Sequence, residues 1–278
     1  MLNKFYQYVR ALSLDVVAGA TISARWIGNY FEVDIPKEAI LSLGISVWLI
    51  YTLDHLLDAQ KIRPKHAAHR HFIHHKNAPL IFTMLVLMSA VLIYLVQYLS
   101  VQLLWTGLLL GLVVVIYLFF VHKRKTPFWG KEWFIAVVYA SGICLPTISH
   151  LGYIPLDLAY FWIQFFVLAG INLLIFNMFE YKTDKKFGFN SFATIKGHNL
   201  TRQIILLLLA LFIIIWLLGF EWIEGKSFLD YQAILIFMGS VLAMVLSKEK
   251  LLKEEEWYRV IGDIVFIFPL IDLLFSSS

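Results

Sequence analysis

Apolar runs of about 20 residues recur along the whole chain, separated by short charged connectors, and 20 residues is the length a helix needs to cross hydrocarbon. Nine such spans are predicted, near 11–31, 38–58, 79–98, 101–121, 132–150, 157–179, 201–220, 229–247 and 258–275. The first is the weakest, because it holds Asp15 and Arg25. The connectors leave no room for a second domain. Residues 1–278 are therefore expected to form one all-α, polytopic membrane domain with nine transmembrane helices. The N-terminus mimics a signal peptide, with Lys4 and Arg10 ahead of an apolar stretch and Ala18-Gly19-Ala20 as an apparent cleavage site. Asp15 interrupts that stretch and Arg25 soon follows, so a retained first helix is expected.

Composition agrees with this pattern. The chain is 60% hydrophobic and 15% charged, with a mean hydropathy of +0.76, whereas soluble domains carry about 25% charged residues. The net charge of +4 is not a nucleic-acid signal, because the basic residues fall on alternate connectors as orientation signals would. With the N-terminus in the cytoplasm, the inner segments hold Lys4 and Arg10, the cluster from Lys61 to Lys76, that from Lys123 to Lys131, that from Lys182 to Arg202, and that from Lys248 to Arg259. The outer connectors hold only Lys37 and Lys226. This places the C-terminus outside and suits a multi-pass protein of a bacterial inner membrane. The single cysteine, Cys144, sits in an apolar run, so disulfides play no part and helix packing is its expected role.

Two acid pairs stand out against this background. Asp54/Asp58 and Glu180/Asp184 each close an apolar stretch with i, i+4 spacing, which puts both carboxylates of a pair on one helix face. Ionisable groups are costly at membrane depth and mark functional sites there. Both pairs end even-numbered spans, so both fall at the cytoplasmic face. Carboxylate oxygens suit hard divalent cations, and those cations suit phosphate groups. A carboxylate at an inner helix end can also be a solvated boundary residue, and Asp54, His55 and Asp58 could mark only where the helix leaves the membrane. Two pairs of equal spacing at one face favour a shared site.

The segment from Asn177 to Gly197 resembles the second signature of the UbiA superfamily of intramembrane prenyltransferases, a D-x-x-D-x-x-x-D run followed by a Gly, a Thr-containing stretch and another Gly. Asn177, Glu180 and Asp184 fall at its acidic positions, and Gly188, Thr194 and Gly197 at the later ones. Asp54 and Asp58 match the first signature, N-x-x-x-D-x-x-x-D, with Ile50 at the Asn position. The Arg-Pro pair usual downstream is met early by Arg63-Pro64, or at nearer spacing by Arg70 with His71 in place of the Pro. Phe119, Lys123 and Arg124 fall on a Y-x-x-x-K motif with Phe replacing Tyr. The resemblance covers nearly the whole chain, since the nine-helix layout also matches.

The resemblance implies Mg2+-dependent transfer of a prenyl group from a prenyl diphosphate to an aromatic or other lipophilic acceptor, in quinone or lipid biosynthesis. It implies Asp54, Asp58, Glu180 and Asp184 as catalytic carboxylates that hold Mg2+, with Asn177 assisting. Arg70, Lys123 and Lys182 are the diphosphate candidates; aromatic faces could stabilise a carbocation by cation–π attraction, and among many aromatic residues Tyr51 and Tyr181 lie beside the acid motifs. The partners implied are the two substrates and membrane lipid, with no nucleic acid and no protein partner. The rival readings are a non-catalytic lipid-binding member of the same fold, an ion-coupled transporter and a His-box oxygenase. A transporter would carry charges near the bilayer midplane in two related halves, unlike acids gathered at one face. His71-Phe-Ile-His74-His75 fits one oxygenase box. His66 and His69 lie just before it, but His55, His122, His150 and His198 are scattered singly and no second box can be built. That loop is expected to flank the diphosphate site or meet anionic headgroups. Arg25 is expected to pair with an Asp inside the bundle, and Asp15 is an alternative lining for the acceptor pocket.

Overall fold

Backbone amides in hydrocarbon must find partners within the chain, so each apolar run becomes a helix. The structure is a computed structural model that describes residues 9, 12–61, 78–123, 130–222, 226–253 and 256–275, and among these it is helical with no strand. The helices are α1 (Leu14–Tyr30), α2 (Lys37–Lys61), α3 (Ala78–Val96), α4 (Val101–Lys123), α5 (Lys131–Leu151), α6 (Leu156–Phe187), α7 (Phe192–Lys196), α8 (His198–Trp222), α9 (Lys226–Ser247), α10 (Glu249–Lys253), α11 (Trp257–Ile264), a 3₁₀ turn (Val265–Ile267) and α12 (Pro269–Phe275). Among the described residues, α2 to α6, α8 and α9 are seven helices long and apolar enough to cross a membrane. The first predicted span falls on α1, which has only 17 residues. The last falls on α11 and α12, two short helices joined by the 3₁₀ turn.

Burial identifies the central helix. In α6, 67% of the apolar window is buried, against 11% in α3 and α4. α6 packs against α5, α7, α8, α9 and α11, whereas α3 leans on α2 and α4 on α5 at the periphery. Leu80, Phe82, Ile93, Leu108 and Leu109 project outward from α3 and α4, a surface suited to acyl chains. The core near α1 is aromatic. Trp26 stacks on Tyr231 at 4.5 Å and meets Phe161 and Phe165 edge-on. Its indole Nε1–H donates to Asp272 of α12 at 2.9 Å. Gln164 of α6 and Gln232 of α9, both fully buried, exchange reciprocal amide hydrogen bonds of 2.7 and 3.1 Å, the kind of polar contact that joins helices in lipid. Cys144 is buried in the helix interface.

Arg25 departs from its expected place. It donates to Asp34 at 3.2 Å and to the Ile35 carbonyl at 2.8 Å, and the Arg25 and Asp34 side chains are 41% and 93% exposed. The loop after α1 turns back and brings Asp34 to the guanidinium at the rim, so no acid inside the bundle is needed. Asp15 is buried, and its Oδ1 accepts from the Val16 N–H at 2.9 Å.

α11 approaches α6 closely because Gly262 has no side chain. A Cβ there would lie 2.3 Å from Asn172 Oδ1 and 2.7 Å from Phe176 Cε1. Gly262→Ala is therefore expected to destabilise the bundle by about 1–3 kcal/mol, the usual cost of overpacking. The check is a lowered thermal-unfolding midpoint of the detergent-solubilised protein.

Candidate functional site

The second acid motif sits on the last turns of α6, and the tail of the signature is what ends that helix. Gly188 takes a left-handed backbone (φ 74°), and the N–H groups of Gly188 and Phe189 both turn back to the Asp184 carbonyl. That is a glycine C-cap. Ser191 opens α7 with a capping box: its Oγ accepts from Thr194 N–H at 3.4 Å while Thr194 Oγ1 accepts from Ser191 N–H at 2.8 Å. Gly197 follows at φ 95° and releases the chain into α8. Gly188, Thr194 and Gly197 thus shape the connector that returns from the acid motif.

Glu132, near the start of α5, fastens this connector. It is 4% exposed. Its Oε1 accepts from Asn177 Nδ2 at 2.5 Å and from the Phe192 N–H at 3.0 Å, so one carboxylate ties α6 to α7. Asn177 therefore faces an acid of its own protein. Glu180, three residues on, meets a different partner. Its Oε1 accepts from Tyr258 Oη at 2.9 Å and from both Nε and Nη2 of Arg259 on α11. The Arg259 and Glu180 side chains are only 12% and 19% exposed, so solvent does little to screen the pair. The guanidinium carbon lies 5.2 Å from the Phe176 ring centre, and Tyr258 stacks on Phe179 at 4.4 Å.

The first acid motif joins the same polar region. Tyr51, Asp54 and His55 on α2 are half-buried. The Tyr51 hydroxyl lies within electrostatic reach of Asp263, Asp54 and Asp15. Asp263, one helical turn beyond Arg259, also acts on that guanidinium. Asp54 and Asp263 thus both act on Tyr51, and Asp263 and Glu180 both act on Arg259. Asp184 is half-buried one turn beyond Glu180.

The remaining expected site residues are distributed as follows. Lys123 is exposed, with its Nζ over the Phe119 ring at 4.1 Å. Lys182 is exposed on the last turns of α6, and Lys185 donates to the Tyr181 hydroxyl at 3.4 Å. Asp58 lies on α2, but its side chain is outside the described residues. Arg63, Pro64, Arg70, the His66–His75 loop and Arg124 are also outside them. Among the described residues, no group of three or more His, Cys, Asp or Glu converges to hold a metal ion. Sequence reasoning missed Glu132, Tyr258, Arg259 and Asp263. Arg259 had been counted only as one of the inner basic residues, although Arg259 and Asp263 share i, i+4 spacing inside an apolar span, the same signal that singled out the acid pairs.

Residues 51–268 match the UbiA prenyltransferase family. No curated protein sequence matches the chain. Among solved structures, the fold is similar to the apo structure of a UbiA homologue from Aeropyrum pernix K1, with TM-score 0.69 and 12% identity over 96% of this chain and 99% of that one. It is also similar to a UbiA homologue from Archaeoglobus fulgidus bound to GPP and Mg2+, with TM-score 0.65 and 13% identity over 95% and 98% of the two chains. A digeranylgeranylglyceryl phosphate synthase aligns with TM-score 0.61 and 15% identity over 96% and 98%.

Glu132→Ala removes the acceptor shared by Asn177 and the Phe192 N–H and leaves the first half-buried and the second buried without it. The expected cost is about 2–3 kcal/mol of stability, read as a lower unfolding midpoint in detergent. Glu132→Gln keeps the shape and one acceptor oxygen and is expected to fall between the wild type and Glu132→Ala.

Proposed function

The chain belongs to the UbiA prenyltransferase family, and from that premise we propose that it transfers a prenyl group from a prenyl diphosphate to an aromatic or other lipophilic acceptor, in a magnesium-dependent reaction that serves quinone or lipid synthesis. The observation that supports this reading is the polar region in which Tyr51, Asp263 and Arg259 lie within the influence of one acid from each motif, Asp54 and Glu180. A prenyl diphosphate has the matching form, with several negative charges at one end and hydrocarbon at the other.

The donor chemistry fits magnesium. Asp54, Asp58 and Asp184 offer carboxylate oxygens, and magnesium is usually bound through one or two carboxylates, with water and substrate phosphates completing its shell. A convergent cluster of three protein ligands is therefore not required. When bound, the ion supplies positive charge that neutralises the diphosphate as a leaving group. Asp54 and Asp58 would hold it from α2 and Asp184 from α6; Glu180, expected as a fourth ligand, is taken up by Arg259. Arg70, Lys123 and Lys182 would add charge-assisted contacts to the diphosphate. The bond between the prenyl C1 and the bridging oxygen breaks, diphosphate departs with the electron pair, and the electron-rich acceptor bonds to C1 and loses a proton. Tyr51 and Tyr181 would face the cationic carbon while the helices exclude water. The reading includes nine membrane crossings, with α1 and the broken segment from α11 to α12 as the two beyond the seven long helices, and a site on the cytoplasmic face.

The engagement of Glu180 by Arg259 favours a second reading, a lipid-binding protein without turnover. Expression of the chain followed by mass spectrometry of membrane lipids separates the two. Asp54→Asn and Asp184→Asn are each expected to lower the prenylated product by about a hundredfold or more, with the protein still folded in membranes. Product undiminished in either variant would sink the carboxylate site, and no product from the wild-type chain would favour the second reading.

A further inference from the structure

Glu180 occupies a position at which the family resemblance implies a metal ligand, yet its Oε1 accepts two guanidinium nitrogens of Arg259 and the hydroxyl of Tyr258. We propose that Glu180 is a positioning residue rather than a magnesium ligand, and that the group it positions, Arg259, binds the diphosphate directly. This rests on the prenyl diphosphate reading above.

The geometry gives Arg259 both the rigidity and the spare donors for the task. Guanidinium carries five N–H donors in a fixed fork that matches phosphate oxygens. The contacts to Glu180 run through Nε and Nη2, fewer than the five N–H donors that the group carries. The ring of Phe176 at 5.2 Å and that of Tyr258 at 6.0 Å pack around the head group. The absent side chain of Gly262 lets α11 bring it that close to α6. Asp263, one turn along α11 from Arg259, acts on both its guanidinium and the Tyr51 hydroxyl. Handing Glu180 to a metal ion would take from a shielded guanidinium the carboxylate that faces it at contact distance, an unfavourable exchange. Charge on the α6 side of the diphosphate is therefore supplied by a fixed guanidinium, and metal there is held through Asp184.

The test uses the full chain in detergent and follows binding of geranyl diphosphate across a magnesium titration. At saturating magnesium, Arg259→Gln and Glu180→Gln are each expected to weaken geranyl diphosphate by about tenfold or more, without raising the magnesium concentration needed for half-saturation. Asp54→Asn is expected to raise that concentration. The double variant Arg259→Gln/Glu180→Gln replaces the ion pair with a neutral amide pair and guards against loss of folding. It is expected to fold and still to bind weakly. A double variant with wild-type affinity would reduce Arg259 to a structural counter-ion and overturn the proposal. A Glu180→Gln variant that raises the magnesium requirement as Asp54→Asn does would make Glu180 a metal ligand and overturn it as well. A wild-type chain that does not bind geranyl diphosphate, or an Asp54→Asn variant with an unchanged magnesium requirement, would bring down the prenyl diphosphate reading itself.

Discussion

A charge held inside an apolar bundle must be answered by the protein, because neither lipid nor water is there to do it. The C-terminal half of α6 follows from that constraint. Asn177 is answered by Glu132, which recruits α5 and the start of α7 in the same stroke. Glu180 is answered by Tyr258 and Arg259, which fasten α11. Asn177 and Glu180 thereby each fix a neighbouring element, so the candidate site and the packing of the bundle are not separable. The same polar groups that suit a diphosphate hold in place the helices that would surround it.

The break between α11 and α12 becomes intelligible in these terms. A single straight helix over the last predicted span would present one face to one set of neighbours. The 3₁₀ turn at Val265–Ile267 redirects the chain, so that α11 delivers Arg259 to Glu180 while α12 delivers Asp272 to Trp26. Irregular backbone at membrane depth is tolerated only where protein covers it. Here Phe266 is largely buried, its Cβ would touch a Cβ placed at Gly19, and its carbonyl accepts from Ser23 Oγ at 3.3 Å. Ser23 and Gly19 on α1 are the accommodation that makes the break possible.

How much of this was legible in the sequence depended on the range of the interaction. The long helices were, since about 20 apolar residues specify a crossing without reference to partners. Gly188, Thr194 and Gly197 were singled out only through the family resemblance; the structure supplies the physical reason for them in positive φ and helix capping. The pair of Glu180 with Arg259 was not, because the partners are 79 residues apart and nothing near either announces the other. Arg25 failed for the opposite reason. Its partner, Asp34, is nine residues away across a turn that hydropathy does not register, so an acid deeper in the bundle was expected instead. The break after α11 was invisible because a mean over a window is blind to a change of direction within it.

Two departures from the family signature look different once their partners are known. An aspartate at position 177 would set a carboxylate 2.5 Å from Glu132 Oε1, whereas the amide of Asn177 donates a hydrogen bond there. Asparagine thus suits a neighbour that is already a carboxylate. Glutamate at 180 carries one more methylene than aspartate, and that added reach serves a carboxylate that must cross to a guanidinium on α11 rather than close on an ion beside its own helix. An aspartate would fall short of Arg259 unless α11 moved nearer, and Gly262 already holds α11 at a distance where even a methyl group on it would collide with α6. The longer acid and the close helix are therefore two parts of one arrangement. Departures at these positions need not mean a decayed site, because each is matched by a side chain elsewhere that makes the substituted residue the fitting one.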